Sequence, residues 1–290
     1  MTSREKRHNE TWFTEESTKH LRLSLRITRE LTRKETPYQS LLALETAEYG
    51  RMLVLDGAIQ VTEKDEFCYH EMMAHVALCA HPDPKRVLIV GGGDGGSLRE
   101  AVRHSSVEKA VLVDIDEEVM AASREFFPTL SCAMDDPKAE LRPMDALVYM
   151  KEHQREFDVI IVDATDPVDM AAGLFKSPFY RDVFDALSDE GFMVAHIESP
   201  FTDAAIMIPA YRAMKEVFPA VYPYLGFMPT YPSGMWVYAA ASKYHDPRTP
   251  LREAPEGLKY YTSEIHRASF ALPPFLKDML ENGQDVKSNY

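Results

Sequence analysis

Acidic side chains occur at two places in this sequence where they could bind a cation or take up a proton. Asp94 lies inside the glycine-rich loop Gly91–Gly96, and Asp163 and Asp166 follow the apolar run Val159–Val162. Carboxylates held together in an apolar setting are costly unless a cation or hydrogen bonds compensate them. A bound amine would supply that charge, and one of the acids could accept a proton from an attacking ammonium group. These residues therefore indicate a site for cationic substrates with acid–base chemistry.

Two other interpretations of the Asp163 and Asp166 pair stay open. Paired carboxylates also bind metal ions, but no histidine lies near this pair at ligand spacing. Alternatively, one acid caps a helix and the other is a surface residue. His70 and His75 resemble a zinc motif, but on a helix residues five apart differ by about 140°. We therefore predict no metal site.

The glycine-rich loop matches the pattern G-x-G-x-x-G at Gly91, Gly93 and Gly96, which is typical of dinucleotide-binding proteins. The residues before it, Val87–Val90, predict a buried parallel strand, and the glycines let a ligand approach bare backbone. A pyrophosphate needs amide donors and positive potential, so Asp94 would repel it. The loop therefore predicts a nucleoside that carries a cationic group, such as an adenosyl sulfonium.

Further acids follow later strands. Asp114 ends a predicted strand about 20 residues beyond the glycines, where an acid can accept hydrogen bonds from both ribose hydroxyls. Asp116 is expected to be structural. Asp145 opens a helix after a short strand, so it can cap that helix, accept from an adenine amino group, or do both. Tyr231 lies in a rigid loop between two prolines and reaches the site only if that loop overhangs it.

Two kinds of element must position these residues. Residues 1–20 are polar apart from Trp12 and Phe13 and predict a loose arm whose aromatic side chains dock elsewhere on the protein. Residues 21–62 carry the short alternating segments of a small antiparallel β unit. Later strands and helices alternate, which predicts an α/β fold with a doubly wound, mostly parallel Rossmann-like sheet that binds ligands at the carboxyl ends of its strands. We therefore expect an N-terminal β-strand domain with a polar arm over residues 1–62 and a nucleoside-binding catalytic domain over residues 63–290.

Composition and charge restrict the function further. The 290-residue chain has 45% hydrophobic and 27% charged residues, typical of a globular protein, and no apolar run approaches the roughly 18–20 residues of a membrane helix. A formal net charge of −14 argues against a nucleic-acid partner and would attract a cationic substrate. The N-terminus lacks the apolar core of a signal peptide, and three cysteines without C-x-x-C spacing indicate a reducing compartment. We therefore expect a cytoplasmic protein.

Taken together, these motifs resemble the spermidine synthase family of polyamine aminopropyltransferases. The matching segments, in chain order, are Leu55–Gly57, Thr62–Phe67, Tyr69–Met72, Val87–Arg99, Asp163–Pro167, Gly173–Phe175, Pro229–Gly234 and Tyr260–Pro273. The most specific part of the resemblance is the loop with Asp94 in combination with Asp163 and Asp166. It implies a Rossmann-like fold of the class I methyltransferase type.

The resemblance also implies a reaction. The amine of a diamine, typically putrescine, attacks the methylene beside the sulfonium of decarboxylated S-adenosylmethionine, and the products are spermidine and methylthioadenosine. Decarboxylated S-adenosylmethionine serves as a co-substrate, with no metal or redox cofactor. The family precedent suggests a homodimer or a homotetramer.

Site residues follow from the same resemblance. Asp163 corresponds to the acid that orients and deprotonates the attacking amine. The residues implied to bind the donor are Gln39, His70, Gly91, Gly93, Asp94, Asp114, Asp145 and Ala146. Those implied to bind the acceptor amine are Tyr69, Asp94, Asp163, Asp166 and Tyr231, and Gln60 is a further pocket position.

The chain departs from the family pattern at several positions. Residues Val168–Ala171 stand where the family usually reads Gly-Pro-Ala, and His196 stands where glutamine is common. Asp114 replaces the usual glutamate, and Ala146 replaces a glycine. The acceptor therefore stays open between putrescine, agmatine, cadaverine and a longer polyamine. A donor that keeps its carboxylate, S-adenosylmethionine itself, would transfer a carboxyaminopropyl group.

Three other functions are alternatives to aminopropyl transfer. A methyltransferase on the same fold would use S-adenosylmethionine and release no methylthioadenosine. A non-catalytic protein that binds nucleosides or polyamines would bind without turnover, but it has no need for the costly pair Asp163 and Asp166. An NAD-dependent dehydrogenase is disfavoured because Asp94 would repel the pyrophosphate.

Overall fold

The computed structural model describes residues 10–165 and 171–285, which form two β-sheets, the second flanked by helices. The strands of the first sheet are β1 (Thr11–Thr18), β2 (Leu21–Glu35), β3 (Ser40–Thr46), β4 (Arg51–Leu55) and β5 (Ala58–Thr62). They pair antiparallel in chain order. Asp56 and Gly57 join β4 to β5 with φ of 48° and 84°, the positive values of the tight hairpin turn that an Asp-Gly pair favours.

The prediction of a loose arm over residues 1–20 is wrong for the part of that segment that the structure describes. β1 pairs along β2, with Phe13 opposite Leu25. Phe13 packs beside the buried cluster that contains Met52 and Val54. Pairing with β2 and the packing of Phe13 dock this strand, so the predicted docking of Phe13 is confirmed, and the polar residues around it in the sequence conceal the alternation.

The second sheet has seven strands. They are β6 (Arg86–Gly91), β7 (Lys109–Asp114), β8 (Ala139–Pro143), β9 (Phe157–Asp163), β10 (Leu187–His196), β11 (Ala220–Phe227) and β12 (Met235–Ser242). Their order is β11-β12-β10-β9-β6-β7-β8. The five strands from β10 to β8 are parallel, β12 pairs antiparallel with β10, and the edge strand β11 pairs antiparallel with β12. This arrangement confirms the predicted Rossmann-like fold.

Helices cover both faces of the second sheet. They are α1 (Glu66–Ala80), α2 (Gly96–Val102), α3 (Glu117–Phe126), α4 (Pro128–Ser131), α5 (Ala146–Lys151), α6 (Ser177–Ala186), α7 (Ala204–Val217), α8 (Ser263–Ser269) and α9 (Pro274–Asn282). Two short 3₁₀ helices span Cys132–Asp135 and Ala171–Phe175. Within the described ranges, no helix is long and apolar enough to cross a membrane.

Two strands differ from the prediction. The strand β11 was not predicted, because Pro223 and Gly226 interrupt its apolar pattern. Proline is tolerated there because β11 is the edge strand of the sheet. The apolar run in the sequence predicts a strand at 191–197, but β10 begins at Leu187, and its pairing with β9 shifts register between Leu187 and Phe192. The polar residues within this irregular stretch resembled a turn.

The helix α1 carries several charged residues into the protein core. All of its residues except Phe67 are buried. Glu71 is 2% exposed, and its carboxylate accepts hydrogen bonds from the backbone N–H groups of Lys259, Tyr260 and Tyr261 at 2.9, 2.8 and 2.7 Å. A buried acid with three donors is satisfied without a basic partner. Glu71 therefore holds a late segment of the chain against the helix that borders the site.

We predict that Glu71→Ala lowers the free energy of unfolding by about 3 kcal/mol, because it leaves three backbone donors without an acceptor. Urea denaturation of the variant and of the parent protein measures the difference. Glu125→Ala, at an exposed position on α3, is the matched control and should change the value by less than about 0.5 kcal/mol. Equal losses in both variants would contradict the role of Glu71.

Candidate active site

A cavity of about 900 Å³ lies between the first sheet and the carboxyl ends of β6, β7 and β9. Every predicted site residue that the structure describes lines this cavity. These residues are Gln39, Gln60, Tyr69, His70, Gly91, Gly93, Asp94, Asp114, Asp145, Ala146, Asp163 and Tyr231. Asp166 and residues 168–170 of the altered loop lie outside the described residues. The volume is within the range of small-molecule sites.

The glycine-rich loop can follow its path only without side chains at two positions. Gly91 has φ of +78°, and a Cβ there would lie 2.3 Å from the carbonyl oxygen of Asp163. A Cβ at Gly96 would lie 2.3 Å from the ring of His70. The first glycine thus allows β6 and β9 to end side by side, and the other allows an imidazole to pack under the loop.

Asp94 faces a buried histidine. Its Oδ1 accepts from the N–H of Gly96 at 2.6 Å and lies 3.5 Å from Nε2 of His70. Nδ1 of His70 is 2.7 Å from the carboxylate of Glu66, which also accepts from Arg99 at 2.8 Å. Burial alone would lower the pKa of His70, but the carboxylates of Asp94 and Glu66 outweigh it and raise that pKa well above 6.5. His70 is therefore an imidazolium beside Asp94 at neutral pH.

Both carboxylate oxygens of Asp163 accept hydrogen bonds. The hydroxyl of Tyr69 donates to Oδ1 at 2.8 Å, and the hydroxyl of Ser97 donates to Oδ2 at 2.6 Å. Burial, followed by the nearby charge of Asp94, raises the pKa of Asp163. The hydroxyls fix the orientation of the carboxylate, and the raised pKa makes it a stronger base than an exposed aspartate.

Sequence reasoning missed Ser97. The residues around Ser97 do not match the nucleophile-elbow pattern G-x-S-x-G. The residue is the second of α2, and it contacts Asp163 because β6 and β9 are neighbours in the sheet. A hydroxyl at the start of the helix after such a loop is the only local signal that could have identified it.

Asp114 and Asp116 lie at the end of β7. Asp114 accepts from the N–H groups of Gly93 at 2.9 Å and Asp116 at 2.8 Å, and burial raises its pKa to about 6. Asp116 caps α3, and its other oxygen accepts from Gln39 at 2.9 Å and Thr36 at 2.7 Å. Asp116 is structural, as predicted, and it joins the first sheet to the second at the cavity wall.

Asp145 caps α5 through the N–H of Leu147 at 2.7 Å, and Ala146 follows it at the cavity wall. The cap uses only Oδ1 of the carboxylate. The helix-capping alternative for Asp145 is therefore confirmed, and the adenine role remains compatible with it.

The loop of Tyr231 overhangs the cavity. Thr230 binds Asp65 through its backbone N–H at 3.0 Å and its hydroxyl at 2.7 Å. The hydroxyl of Tyr231 donates to the carbonyl oxygen of Gln60 at 2.6 Å, and its ring centre is 5.9 Å from that of Tyr69. Tyr231 therefore reaches the cavity, as a role at the site requires.

The two histidines of the zinc-like motif contact different partners. His75 lies 2.9 Å from His104 and 3.2 Å from Glu100, away from the cavity that His70 lines. Among the residues that the structure describes, no three His, Cys, Asp or Glu side chains are grouped to hold a metal ion.

Comparisons with known proteins agree with this geometry. A family model described as the spermine/spermidine synthase domain matches residues 66–251, and one described as the spermidine synthase tetramerisation domain matches residues 11–63. The polyamine aminopropyltransferase of Desulforudis audaxviator is 49% identical over 269 residues, 92% of this chain and 98% of that protein. The one from Caldicellulosiruptor bescii is 48% identical over 274 residues, 94% of this chain and 99% of that protein.

Solved structures are similar over the same extent. A spermidine synthase in complex with the transition-state analogue AdoDATO is 43% identical with a TM-score of 0.91, and the match covers 96% of both chains. The spermidine synthase of Thermotoga maritima is 42% identical with a TM-score of 0.88, and the match covers 95% of both chains. The chain therefore belongs to the spermidine synthase family of polyamine aminopropyltransferases and is a transferase.

Proposed function

We propose that this protein transfers the aminopropyl group of decarboxylated S-adenosylmethionine to a diamine, with putrescine as the expected acceptor. The products are spermidine and methylthioadenosine. The observation that carries the proposal is the presence of Asp94 and Asp163 in one cavity, at the ends of the adjacent strands β6 and β9. A donor cation beside Asp94 and an acceptor amine beside Asp163 would bring the reacting atoms together.

The donor would lie along the glycine-rich loop. Asp114 is proposed to accept from the ribose hydroxyls, and Asp145 and Ala146 to contact the adenine. Gly91 and Gly93 let the nucleoside approach the backbone. Gln39 and His70 complete the donor side, and Asp94 holds the ammonium of the aminopropyl group. The complex of the similar spermidine synthase with the transition-state analogue AdoDATO supports a donor site for the same reaction in this chain.

The acceptor would lie beside Asp163 and the rings of Tyr69 and Tyr231, and Asp166 is proposed to bind it as well. Asp163 removes a proton from the attacking ammonium, and the freed lone pair attacks the methylene beside the sulfonium. The new C–N bond forms as the C–S bond breaks, and the bonding electrons pass to sulfur, which leaves as the neutral thioether. The hydrogen bonds from Tyr69 and Ser97 support this role because they orient the base.

The altered loop at Val168–Ala171 leaves the choice of acceptor and donor to experiment. We predict that incubation with labelled decarboxylated S-adenosylmethionine and a panel of putrescine, cadaverine, agmatine and spermidine yields methylthioadenosine, with the highest rate for putrescine. Mass spectrometry identifies the products. A parallel incubation of the same amines with S-adenosylmethionine is the control. Turnover with S-adenosylmethionine but not with decarboxylated S-adenosylmethionine would contradict the proposal.

We predict that Asp163→Asn lowers kcat by roughly 100- to 10,000-fold, because the amide cannot accept the proton. The affinity for methylthioadenosine, measured by calorimetry, should stay within about threefold of the parent value. Asp189→Asn is a matched control at an exposed aspartate outside the cavity, and it should leave kcat unchanged. Unchanged turnover in Asp163→Asn would refute the assignment of the base.

The pKa of Asp114, raised to about 6 by burial, predicts a pH dependence of donor binding. Below pH 6 the protonated carboxyl accepts hydrogen bonds poorly, so the dissociation constant of methylthioadenosine should rise about tenfold between about pH 7 and pH 5. In Asp114→Asn the affinity should be weaker throughout and independent of pH in this range. If the dissociation constant changes with pH equally in the parent protein and in Asp114→Asn, another group is responsible for the pH dependence.

The first sheet is proposed to mediate assembly into a homodimer or homotetramer, because residues 11–63 match a tetramerisation domain. Trp12 and Leu21 on β1 and β2 are 48% and 42% exposed, which supports a contact there. The domain boundary proposed at residues 62 and 63 coincides with the end of β5. The cytoplasmic location stays a prediction.

A further inference from the structure

Asp65, at the start of α1, is a buried acid that does not line the cavity and takes no part in the mechanism above. It occupies the N-cap position of the helix, where an aspartate usually accepts from a backbone N–H of the first turn. Within the described residues, its carboxylate makes no such hydrogen bond. The side chain is 3% exposed, so the carboxylate must be partnered elsewhere.

The partners of Asp65 come from two elements that are distant in the chain. Its Oδ1 accepts from the hydroxyl of Thr62, at the end of β5, at 2.5 Å. Its Oδ2 accepts from the backbone N–H of Thr230 at 3.0 Å and from the hydroxyl of the same residue at 2.7 Å. Both threonines are buried. One carboxylate therefore joins the first sheet, the start of α1 and the loop that carries Tyr231.

The loop of residues 229–234 is also attached at its other end. The hydroxyls of Ser233 and Ser199 lie 2.8 Å apart, which ties the loop to the segment after β10. Ser233 has φ of +65°, a conformation that persists only where the surroundings hold it. Between the two attachments, the hydroxyl of Tyr231 donates to the carbonyl oxygen of Gln60 at 2.6 Å. These contacts make the loop a fixed wall of the cavity.

Asp65 connects the two tyrosine rings on the acceptor side of the cavity. Tyr69 lies four residues after Asp65, one turn along α1, and Thr230 directly precedes Tyr231. The centres of the two rings are 5.9 Å apart. Tyr69 also donates to Asp163, so this spacing sets the room beside the base. A misplacement of about 1 Å in such a site can cost about 100-fold in rate.

We propose that Asp65 is a positioning residue for the acceptor amine: through Thr230 it holds the ring of Tyr231 at the distance from Tyr69 that the acceptor requires. The proposal rests on the proposed function, because it assumes that an amine binds beside these rings. Asp65 would act on acceptor binding without contact with either substrate. The donor is proposed to lie along the glycine-rich loop, so its affinity should not depend on Asp65.

Calorimetry with putrescine on the complex with methylthioadenosine tests this role without turnover. Asp65→Ala should raise the Kd of putrescine by about tenfold, because the ring of Tyr231 shifts, and leave the Kd of methylthioadenosine within about threefold of the parent value. Asp65→Asn should bind putrescine within about threefold of the parent. Its amide oxygen can accept from Thr230 while its NH₂ group donates to the hydroxyl of Thr62.

Kinetics give a second readout. In Asp65→Ala the KM for putrescine should rise by about tenfold, while kcat and the KM for decarboxylated S-adenosylmethionine stay within about threefold of the parent values. In a Tyr231→Ala background, the same substitution should change the Kd of putrescine by less than about twofold, because the ring that Asp65 positions is absent.

Thr230→Val isolates one hydrogen bond of the network. It keeps the shape of the side chain and removes the hydroxyl that donates to Asp65, so the Kd of putrescine should rise by about threefold. Thr46→Val is the matched control. Thr46 is a buried residue of the first sheet that does not line the cavity, and its hydroxyl donates to the carbonyl oxygen of Gly50 at 2.8 Å. This control should leave the Kd of putrescine unchanged.

Equal weakening of putrescine and methylthioadenosine binding in Asp65→Ala, or the same effect with and without the ring of Tyr231, would overturn the positioning role. If circular dichroism shows that Asp65→Ala is unfolded, the comparison of Thr230→Val with Thr46→Val decides, and equal values in the two overturn it. If the parent protein transfers the aminopropyl group in that case, only this inference fails. If it forms no methylthioadenosine from any acceptor, the proposed function fails with it.

Discussion

Negative charge buried at the carboxyl end of the second sheet is the constraint on which the rest of the site depends. Asp94, Asp114 and Asp163 share one cavity, and burial and mutual repulsion raise the pKa of the latter two. Hydrogen bonds and the imidazolium of His70 offset this cost only in part. A bound dication would neutralise the negative charge that remains. The electrostatic cost of burying these acids therefore gives the site its selectivity for cations.

Behind the cavity, acidic and basic side chains alternate in a row and compensate one another's buried charge. Glu66 lies between His70 and Arg99, and these cations outweigh its burial and lower its pKa to about 2. Arg99 in turn donates to Glu100, which contacts His75. The row explains how α1 carries acids and histidines into the core, and why a hydrophobic pattern alone does not describe that helix.

The parts of the fold and site that the sequence predicts are those with a local signal. The strand β6, its glycine-rich loop and Asp94 are contiguous, so the sequence alone predicts a loop that binds a nucleoside with a cationic group. The contact of Ser97 with Asp163 depends on two strands that are neighbours only in space, and β11 was concealed by Pro223. The approach of His196 to Glu198, with 3.2 Å between Nδ1 and Oε1, depends on the backbone after β10 and has no local sequence pattern.

Adjacent residues of α1 contact the two acids of the site: Tyr69 donates to Asp163, and His70 faces Asp94. Successive residues on a helix differ by about 100°, so the helix fixes the angle between these contacts. The same buried helix is tied to the end of the chain through Glu71. One rigid element therefore sets the spacing of both carboxylates, and any rotation or shift of it would misalign nucleophile and leaving group together. Under the proposed mechanism, the acceptor can therefore change at the cavity wall while the line of attack that this helix fixes stays the same.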